Sequence, residues 1–175
     1  MNANNATTSE PTKDFVISRV FDAQRDLVWK IWTEPEHLAR WMNPSGGGMS
    51  FTKMDFRAGG MAHYSMDTPD GGEMWGVCKY LEIEPPKKVV QIQSFADAEG
   101  NITTHPFAPT WPKQMLSTAT FSEKDGKTTI TIVWTPHHST EEEIQTFNAA
   151  HAGMEQGWGG SLAQLEEYLK EVQSH

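Results

Sequence analysis

The chain has 175 residues, of which 37% are hydrophobic and 10% aromatic, and its formal net charge is −9. This length predicts one domain with a substantial core, and the acidic balance argues against nucleic acids and anionic membranes as partners, because both are bound through basic patches. The single cysteine, Cys78, excludes an intramolecular disulfide and a cysteine-rich metal site.

The start of the sequence is polar, and residues 1–12 are predicted to form a disordered leader before a single folded domain over residues 13–172. No basic region followed by an apolar run precedes that domain, so we expect no signal peptide. No apolar stretch approaches the roughly 18 residues that a membrane span needs. The expectation is therefore a cytoplasmic protein without a membrane contact.

Two short helices are predicted directly after the first strand. Alternating side chains predict that strand over residues 15–21. Asp22 is expected to cap a helix over residues 23–32, and Thr33 is expected to cap a second helix that ends at Trp41.

The middle of the chain is predicted to form a series of antiparallel strands. Turn-forming residues separate them, and Asp70-Gly71 is a strong hairpin signal. The strands are predicted over residues 49–56, 60–67, 73–84, 89–95, 114–122 and 127–134. Residues 96–112, between the fourth and fifth of these strands, are predicted to form a long surface loop.

The C-terminal segment is predicted to form one helix from Ser139 to Val172, opened by a capping box of Ser139 and Glu142. Four glycines interrupt its apolar face, although each costs about 1 kcal/mol relative to alanine inside a helix. We expect the missing side chains either to admit a closely packed neighbour or to leave open space. The glycines are Gly153, Gly157, Gly159 and Gly160.

This order of elements predicts an α+β fold, with antiparallel strands in one layer and helices against one face. Four stretches carry a resemblance to a known family: RVFDAQRDLVWKIWTEPEHLARWM at 19–42, MDFRAGG at 54–60, GKTTIT at 126–131 and GWGGSLAQLEEYL at 157–169. Together they resemble the helix-grip or START-like superfamily, also called SRPBCC. Within it they are similar to the branch related to the C-terminal domain of the activator of the heat-shock-protein-90 ATPase.

The resemblance implies a curved sheet of about six to seven strands wrapped around the long C-terminal helix, with a cavity between them. It implies no particular reaction, because members include ligand carriers, polyketide cyclases and co-chaperone domains. The co-chaperone carries a separate chaperone-binding domain that this sequence does not show, so a chaperone contact is the less favoured expectation. Gly157 and Trp158 match the family's Gly-Trp helix motif, and Trp158 is expected in the core.

Large apolar side chains are the candidates for the cavity wall. Trp75 and Trp134 are predicted to face inward from their strands, with Phe147 and Met154 opposite them on the helix. Trp111, in the long loop, is a candidate lid over the opening.

Two histidines are candidates for polar or catalytic roles. His63 lies on a predicted strand, and His151 lies on the apolar stripe of the helix. If both face the cavity, they could orient a polar ligand group or act as acid and base, since histidine titrates near neutrality. The alternative is a hydrogen-bonded histidine at the rim or in the core.

No metal and no cofactor is predicted. His105, the adjacent pair His137 and His138, and the glutamates 141–143 suggest a metal site. Zinc needs three or four converging ligands, however, and the sequence contains no HxxxH or HExxH spacing. We interpret these residues as solvated loop and cap residues.

The MDFRAGG stretch is predicted to form a structural turn. Asp55 and Arg57 are expected to form a salt bridge that fixes it, with Gly59 and Gly60 adopting positive φ. The alternative is that Arg57 holds a ligand carboxylate through two parallel hydrogen bonds.

The leading functional hypothesis is a binding module that encloses a small, largely apolar or aromatic molecule between the sheet and the helix. One alternative is an enzyme of the cyclase or lyase kind that uses the same cavity without a metal. Another is an interaction domain that assists a chaperone in a stress response. An exposed sheet edge could also pair two copies into a homodimer.

Overall fold

The computed structural model describes residues 11–43 and 47–174, so residues 1–10 of the predicted leader lie outside the described chain. The elements within it are β1 (Phe15–Phe21), α1 (Arg25–Thr33), α2 (Pro35–Trp41), β2 (Met49–Met54), β3 (Met61–Asp67), β4 (Glu73–Glu84), β5 (Lys88–Ala96), β6 (Met115–Lys124), β7 (Lys127–Pro136), α3 (Glu141–Ala149) and α4 (His151–Gln173). The predicted α+β fold, with two short helices after the first strand, is confirmed.

The seven strands of the described chain form one curved antiparallel sheet in the order β1-β7-β6-β5-β4-β3-β2. β1 and β2 are consecutive strands, yet they lie at opposite edges of the sheet, and α1 and α2 form the connection between them. The pairing of two copies through one of these edges stays a prediction.

The main core lies where α1, α2 and the C-terminal half of α4 pack against β6 and β7. Trp41 Nε1 donates a hydrogen bond to the Ile31 carbonyl at 3.1 Å, which joins α2 to α1. Apolar burial stabilises the fold by roughly 25 cal/mol per Å², so this cluster holds one end of α4 against the sheet. Its fully buried members include Val28, Ile31, Trp41, Ile130, Ile132, Leu162 and Leu165.

A β-bulge decides which side chains of β2 face the helices. The pairing with β3 shifts register between Phe51 and Lys53, so that Phe51 lies opposite Tyr64 and Met54 opposite Ala62. Phe51 and Met54 therefore share a face although they are three residues apart. Simple alternation cannot assign that face, because a slip of one residue turns the side chains over.

The C-terminal segment contains two helices rather than the single helix predicted. Ala150 separates them, with φ of −102° and ψ of 7°, which lie outside the helical region. The break allows α3 to pack against β7 while α4 packs against α2 and β1. The tertiary packing, and not the local sequence pattern, therefore divides the helix.

The capping box of α3 lies one residue later than predicted. The Thr140 hydroxyl accepts a hydrogen bond from Glu143 N at 3.1 Å, and the Glu143 carboxylate accepts one from Thr140 N at 3.0 Å. Ser139 instead donates to the His137 carbonyl. Both registers fit the capping-box pattern, so the sequence alone does not distinguish them.

The predicted caps of the first two helices are also wrong. The first N–H group of α1, that of Arg25, donates to the Glu123 carboxylate of β6 at 2.7 Å, and Asp22 does not cap the helix. Thr33 is the last residue of α1, and its hydroxyl donates to the Trp29 carbonyl at 2.8 Å. A carboxylate from a distant strand takes the place of the local cap, which a local pattern cannot predict.

Candidate functional site

A cavity of about 460 Å³ lies between the inner face of the sheet and the N-terminal half of α4. Methionines from four different strands, a helix and a loop line it. Methionine has a flexible side chain that adapts to irregular shapes, so this wall can accommodate ligands of different outline. The lining methionines in the described chain are Met42, Met49, Met54, Met66, Met74, Met115 and Met154.

Tryptophans form flat parts of the same wall. Trp158 of α4 stacks parallel to Trp32 of α1, with ring centroids 6.1 Å apart, and meets Trp134 of β7 edge to face at 5.6 Å. Trp134 Nε1 donates to the Ser117 hydroxyl at 3.0 Å, which fixes its ring. The aromatic wall is thus held in place by α1, α4 and the sheet together.

Three of the four glycines of α4 face open space rather than a packed neighbour. A Cβ at Gly153, Gly157 or Gly159 would meet no atom within 4 Å. Gly157 lines the cavity, between Met154 and Trp158. The missing side chain at Gly157 therefore widens the cavity, whereas a larger residue there would project into it.

The structure places most of the predicted wall residues around the cavity. Met154, Trp134 and Trp111 border it, while Phe147 is fully buried behind them, 5.9 Å from the Trp111 ring. Trp75 also borders the cavity, but its strand partner is Ser65. Its side chain therefore lies on the same face of the sheet as His63, opposite to the face of Tyr64 and Cys78. The Trp75 and His63 rings stack with their centroids 4.9 Å apart.

His63 is not among the residues that line the cavity. Its Nε2 donates to the Asp97 carbonyl at 3.0 Å, and its Nδ1 lies 2.7 Å from the Thr52 hydroxyl. Both ring nitrogens are thus engaged with protein groups, which matches the hydrogen-bonded alternative considered for this residue.

His151 does not line the cavity either. Its Nε2 donates to the Lys13 carbonyl at 2.8 Å, and its ring makes edge contacts with Phe15 and Phe147. Since His151 and His63 share no partner, the structure does not assemble the histidine pair that the sequence suggested.

The MDFRAGG stretch has the features of a structural turn. Arg57 Nε lies 2.8 Å from the Asp55 carboxylate; the Arg57 side chain is exposed and the Asp55 side chain is partly buried. Gly59 has a φ of +86°, as predicted, but Gly60 does not have a positive φ, so that part of the prediction is wrong. A Cβ at Gly60 would lie 2.1 Å from the Asp55 carbonyl oxygen, so this glycine is required by close approach of the backbone.

Sequence reasoning missed a set of polar side chains on the inner face of the sheet. We call this set the polar row: Tyr64 of β3, Cys78 and Tyr80 of β4, and Gln91 and Gln93 of β5, all of which line the cavity. Cys78 pairs with Gln93 and Tyr80 with Gln91 across the β4–β5 ladder. Gln91 and Gln93 flank Ile92 in the sequence, but this alternation alone does not show which face of the strand borders a cavity.

The polar row is uncharged near neutral pH, and burial reinforces this. Burial raises the pKa of the Cys78 thiol to about 11 and holds the pKa values of the Tyr64 and Tyr80 hydroxyls well above their ordinary range. These groups therefore keep their protons near neutral pH, and they act as hydrogen-bond donors and acceptors without charge.

His105 borders the cavity from the long loop. Its Nδ1 accepts a hydrogen bond from Phe107 N at 3.0 Å, so the neutral ring carries its proton on Nε2. Burial lowers the pKa of His105, which keeps the ring uncharged near neutrality. The sequence pattern suggests His105 only as a candidate for a metal site.

The other residues of the metal hypothesis do not converge in the structure. His137 and His138 contact each other, with ring centroids 4.0 Å apart. In the part of the chain that the structure describes, no three His, Cys, Asp or Glu side chains are arranged to hold a metal ion. No helix of the described residues is both long and apolar enough to cross a membrane.

Comparison with known proteins identifies relatives over almost the whole chain. A model of the family described as "Activator of Hsp90 ATPase homolog 1-like protein" matches residues 22–170. No curated protein matches the sequence.

Solved structures from bacteria share the fold. A solution structure of a protein from Arthrobacter aurescens is 29% identical, with a TM-score of 0.76, over 94% of this chain and 93% of that one. A crystal structure of a protein from Mycobacterium smegmatis is 26% identical, with a TM-score of 0.74, over 90% and 91%. A solution structure from Staphylococcus epidermidis, 24% identical with a TM-score of 0.71 over 93% of each chain, shows the fold alone.

Proposed function

The chain belongs to the family of Activator of Hsp90 ATPase homolog 1-like proteins, and on that premise we propose that it binds a small, largely apolar molecule between the sheet and α4. Proteins of this family often bind hydrophobic ligands. The family membership alone names neither the ligand nor the site in this chain, so the proposal depends on the chain's own residues.

The cavity is the observation that carries the proposal. Its volume of about 460 Å³ falls in the range of small-molecule sites, which is roughly 300–1,000 Å³. Its wall of methionines and tryptophans offers apolar contact on several sides. A ligand that buried about 200 Å² of apolar surface there would gain roughly 5 kcal/mol, before the entropic cost of association.

The structure does not favour the cyclase alternative. That hypothesis assigned proton transfer to His63 or His151, and neither residue lines the cavity. On the surface of the described residues, no particular feature favours the chaperone-assisting alternative over ligand binding. Ligand binding therefore stays the function that the geometry supports best.

A substitution that fills the cavity tests the proposal. The probe is N-phenyl-1-naphthylamine, a neutral dye whose fluorescence rises in apolar surroundings. Met154, which is 8% exposed and lines the cavity, is replaced in Met154→Trp. We expect the dye affinity to fall by about tenfold or more, because the larger ring occupies the ligand's space.

Two further variants make this test decisive. Gly157→Leu adds a side chain where a Cβ meets no atom within 4 Å, so it should block the cavity with little strain. Met61→Trp is the matched control, because Met61 is 38% exposed and pairs with Lys79 away from the cavity. Dye binding at wild-type affinity in folded Met154→Trp and Gly157→Leu would sink the proposed site.

A further inference from the structure

The cavity wall contains polar groups but no formal charge. Among the described residues that line it, none is Asp, Glu, Lys or Arg. A carboxylate or ammonium group of a ligand would therefore be taken out of water without an opposite charge to receive it. Burial of an unpaired charge is strongly unfavourable, so the wall discriminates against charged ligands.

The absence of a side chain at Gly76 leaves room for Tyr64 in the polar row. A Cβ at Gly76 of β4 would lie 2.6 Å from the Tyr64 hydroxyl oxygen and ring, so only glycine lets the ring lie across β4. The Tyr64 ring thus lies over Gly76 of β4, and the side chain of Gln93 on β5 is near enough to lower the pKa of its hydroxyl, although burial raises that pKa by more. Tyr64 and Gln93 are therefore neighbouring hydrogen-bonding groups on the cavity wall.

Tyr64 and Gln93 together can both donate and accept hydrogen bonds. The amide of Gln93 carries two N–H donors and a carbonyl acceptor, and the hydroxyl of Tyr64 can do either. Gln91 lies two residues before Gln93 on the same face of β5 and adds a second amide. A group that both donates and accepts, such as an alcohol or an amide, matches this arrangement, as does a carbonyl.

We propose that the ligand is uncharged, and that the polar row, through Tyr64 and Gln93, binds a carbonyl, hydroxyl or amide group at one end of its apolar skeleton. This inference rests on the proposed function and specifies the class of ligand that the cavity takes. The methionines and tryptophans contact the skeleton, and the polar row fixes its orientation.

A pair of isosteric competitors tests the charge preference. 2-Naphthamide and 2-naphthoate have the same skeleton and nearly the same shape, but only the naphthoate is charged at neutral pH. Each is used to displace N-phenyl-1-naphthylamine from the wild-type protein. We expect the amide to compete at concentrations lower by about tenfold or more.

Near-isosteric variants test the assignment to Tyr64 and Gln93. Tyr64→Phe and Gln93→Met remove hydrogen-bonding groups while keeping most of the volume of each side chain. Each should weaken 2-naphthamide by about three- to tenfold, and it should weaken the dye by less, because the dye offers a single N–H group to the polar row. Gln156→Met on the exposed face of α4 is the matched control, and it should change neither.

The outcomes separate this inference from the proposed function. Equal competition by naphthoate and naphthamide, with the dye still bound, would overturn the uncharged-ligand inference and leave the proposed function standing. Unchanged naphthamide affinity in both variants would overturn the role of the polar row. Absence of dye binding to the wild-type protein would overturn the proposed function and this inference with it.

Discussion

Glycine has different roles at different positions of this chain, and only the surroundings distinguish them. Gly60 has no room for a side chain, because a Cβ would lie 2.1 Å from the Asp55 carbonyl oxygen. Gly153 is exposed on α4, and a Cβ there would meet no atom within 4 Å. The first glycine is required by the backbone, whereas the second carries only the entropic cost of glycine in a helix.

Alanine substitutions at these two glycines should have opposite effects. Gly153→Ala should raise the free energy of unfolding by about 0.5–1 kcal/mol, because alanine restricts the unfolded chain and adds no clash. Gly60→Ala should lower it by about 2 kcal/mol or more, because the backbone must move to admit the Cβ. Urea denaturation of the two variants and the wild type measures both. A Gly60→Ala protein as stable as the wild type would contradict the close approach.

At the scale of elements, α4 has two halves with different roles along one face. Leu162, Leu165 and Leu169 in the C-terminal half are buried in the core, whereas Met154 and Gly157 in the N-terminal half line the cavity. The spacing of three and four residues puts both sets on the same side of the helix. The leucines therefore anchor the helix, and the glycine-rich half is left free to border open space.

The start of α3 offers a direct test of its observed register. Thr140→Ala should lower the free energy of unfolding by about 1 kcal/mol, because it removes the hydroxyl that accepts from Glu143 N. Ser139→Ala is the matched control and should cost less, since Ser139 is not the N-cap residue. Urea denaturation distinguishes the two. A larger loss in Ser139→Ala than in Thr140→Ala would restore the capping box that the sequence first suggested.

At the scale of the whole molecule, the sheet buries acidic groups that stay protonated. Burial raises the pKa of Cys78 to about 11, and it also raises the pKa values of Tyr64 and Tyr80. In the unfolded chain, by contrast, a thiol ionises near pH 8.5 and a phenol near pH 10. The folded state consequently binds more protons than the unfolded state in alkaline solution.

Stability should therefore fall as the pH rises. The contribution of Cys78 is fully present below about pH 8.5 and is lost as the pH approaches 11, at up to about 1.4 kcal/mol per pH unit. The buried tyrosines extend the loss to higher pH. The free energy of unfolding, measured in urea between about pH 7 and 10.5, tests this prediction. Cys78→Ala is the comparison, and its curve should be flatter, whereas identical slopes would show that the thiol is not desolvated.

The sequence by itself determined the order and type of nearly all the elements. Hydrophobic periodicity, turn residues such as Asp70-Gly71 and the motifs at 19–42 and 157–169 predict the α+β fold and the family, and both are confirmed. These signals are local: each depends on residues a few positions apart, which is the range over which a helix or a strand defines its faces. Boundaries were correct to within a few residues for the same reason.

Only the tertiary structure decided which side chains meet at the cavity. The bulge in β2 sets which of its residues face inward, the carboxylate of Glu123 from β6 takes the place of a local cap on α1, and Gly76 lets Tyr64 reach across β4. His63 and His151 lie on the predicted elements, but each donates a hydrogen bond to a backbone carbonyl and does not line the cavity. Register and close approach join residues far apart in the chain, so no local pattern contains them.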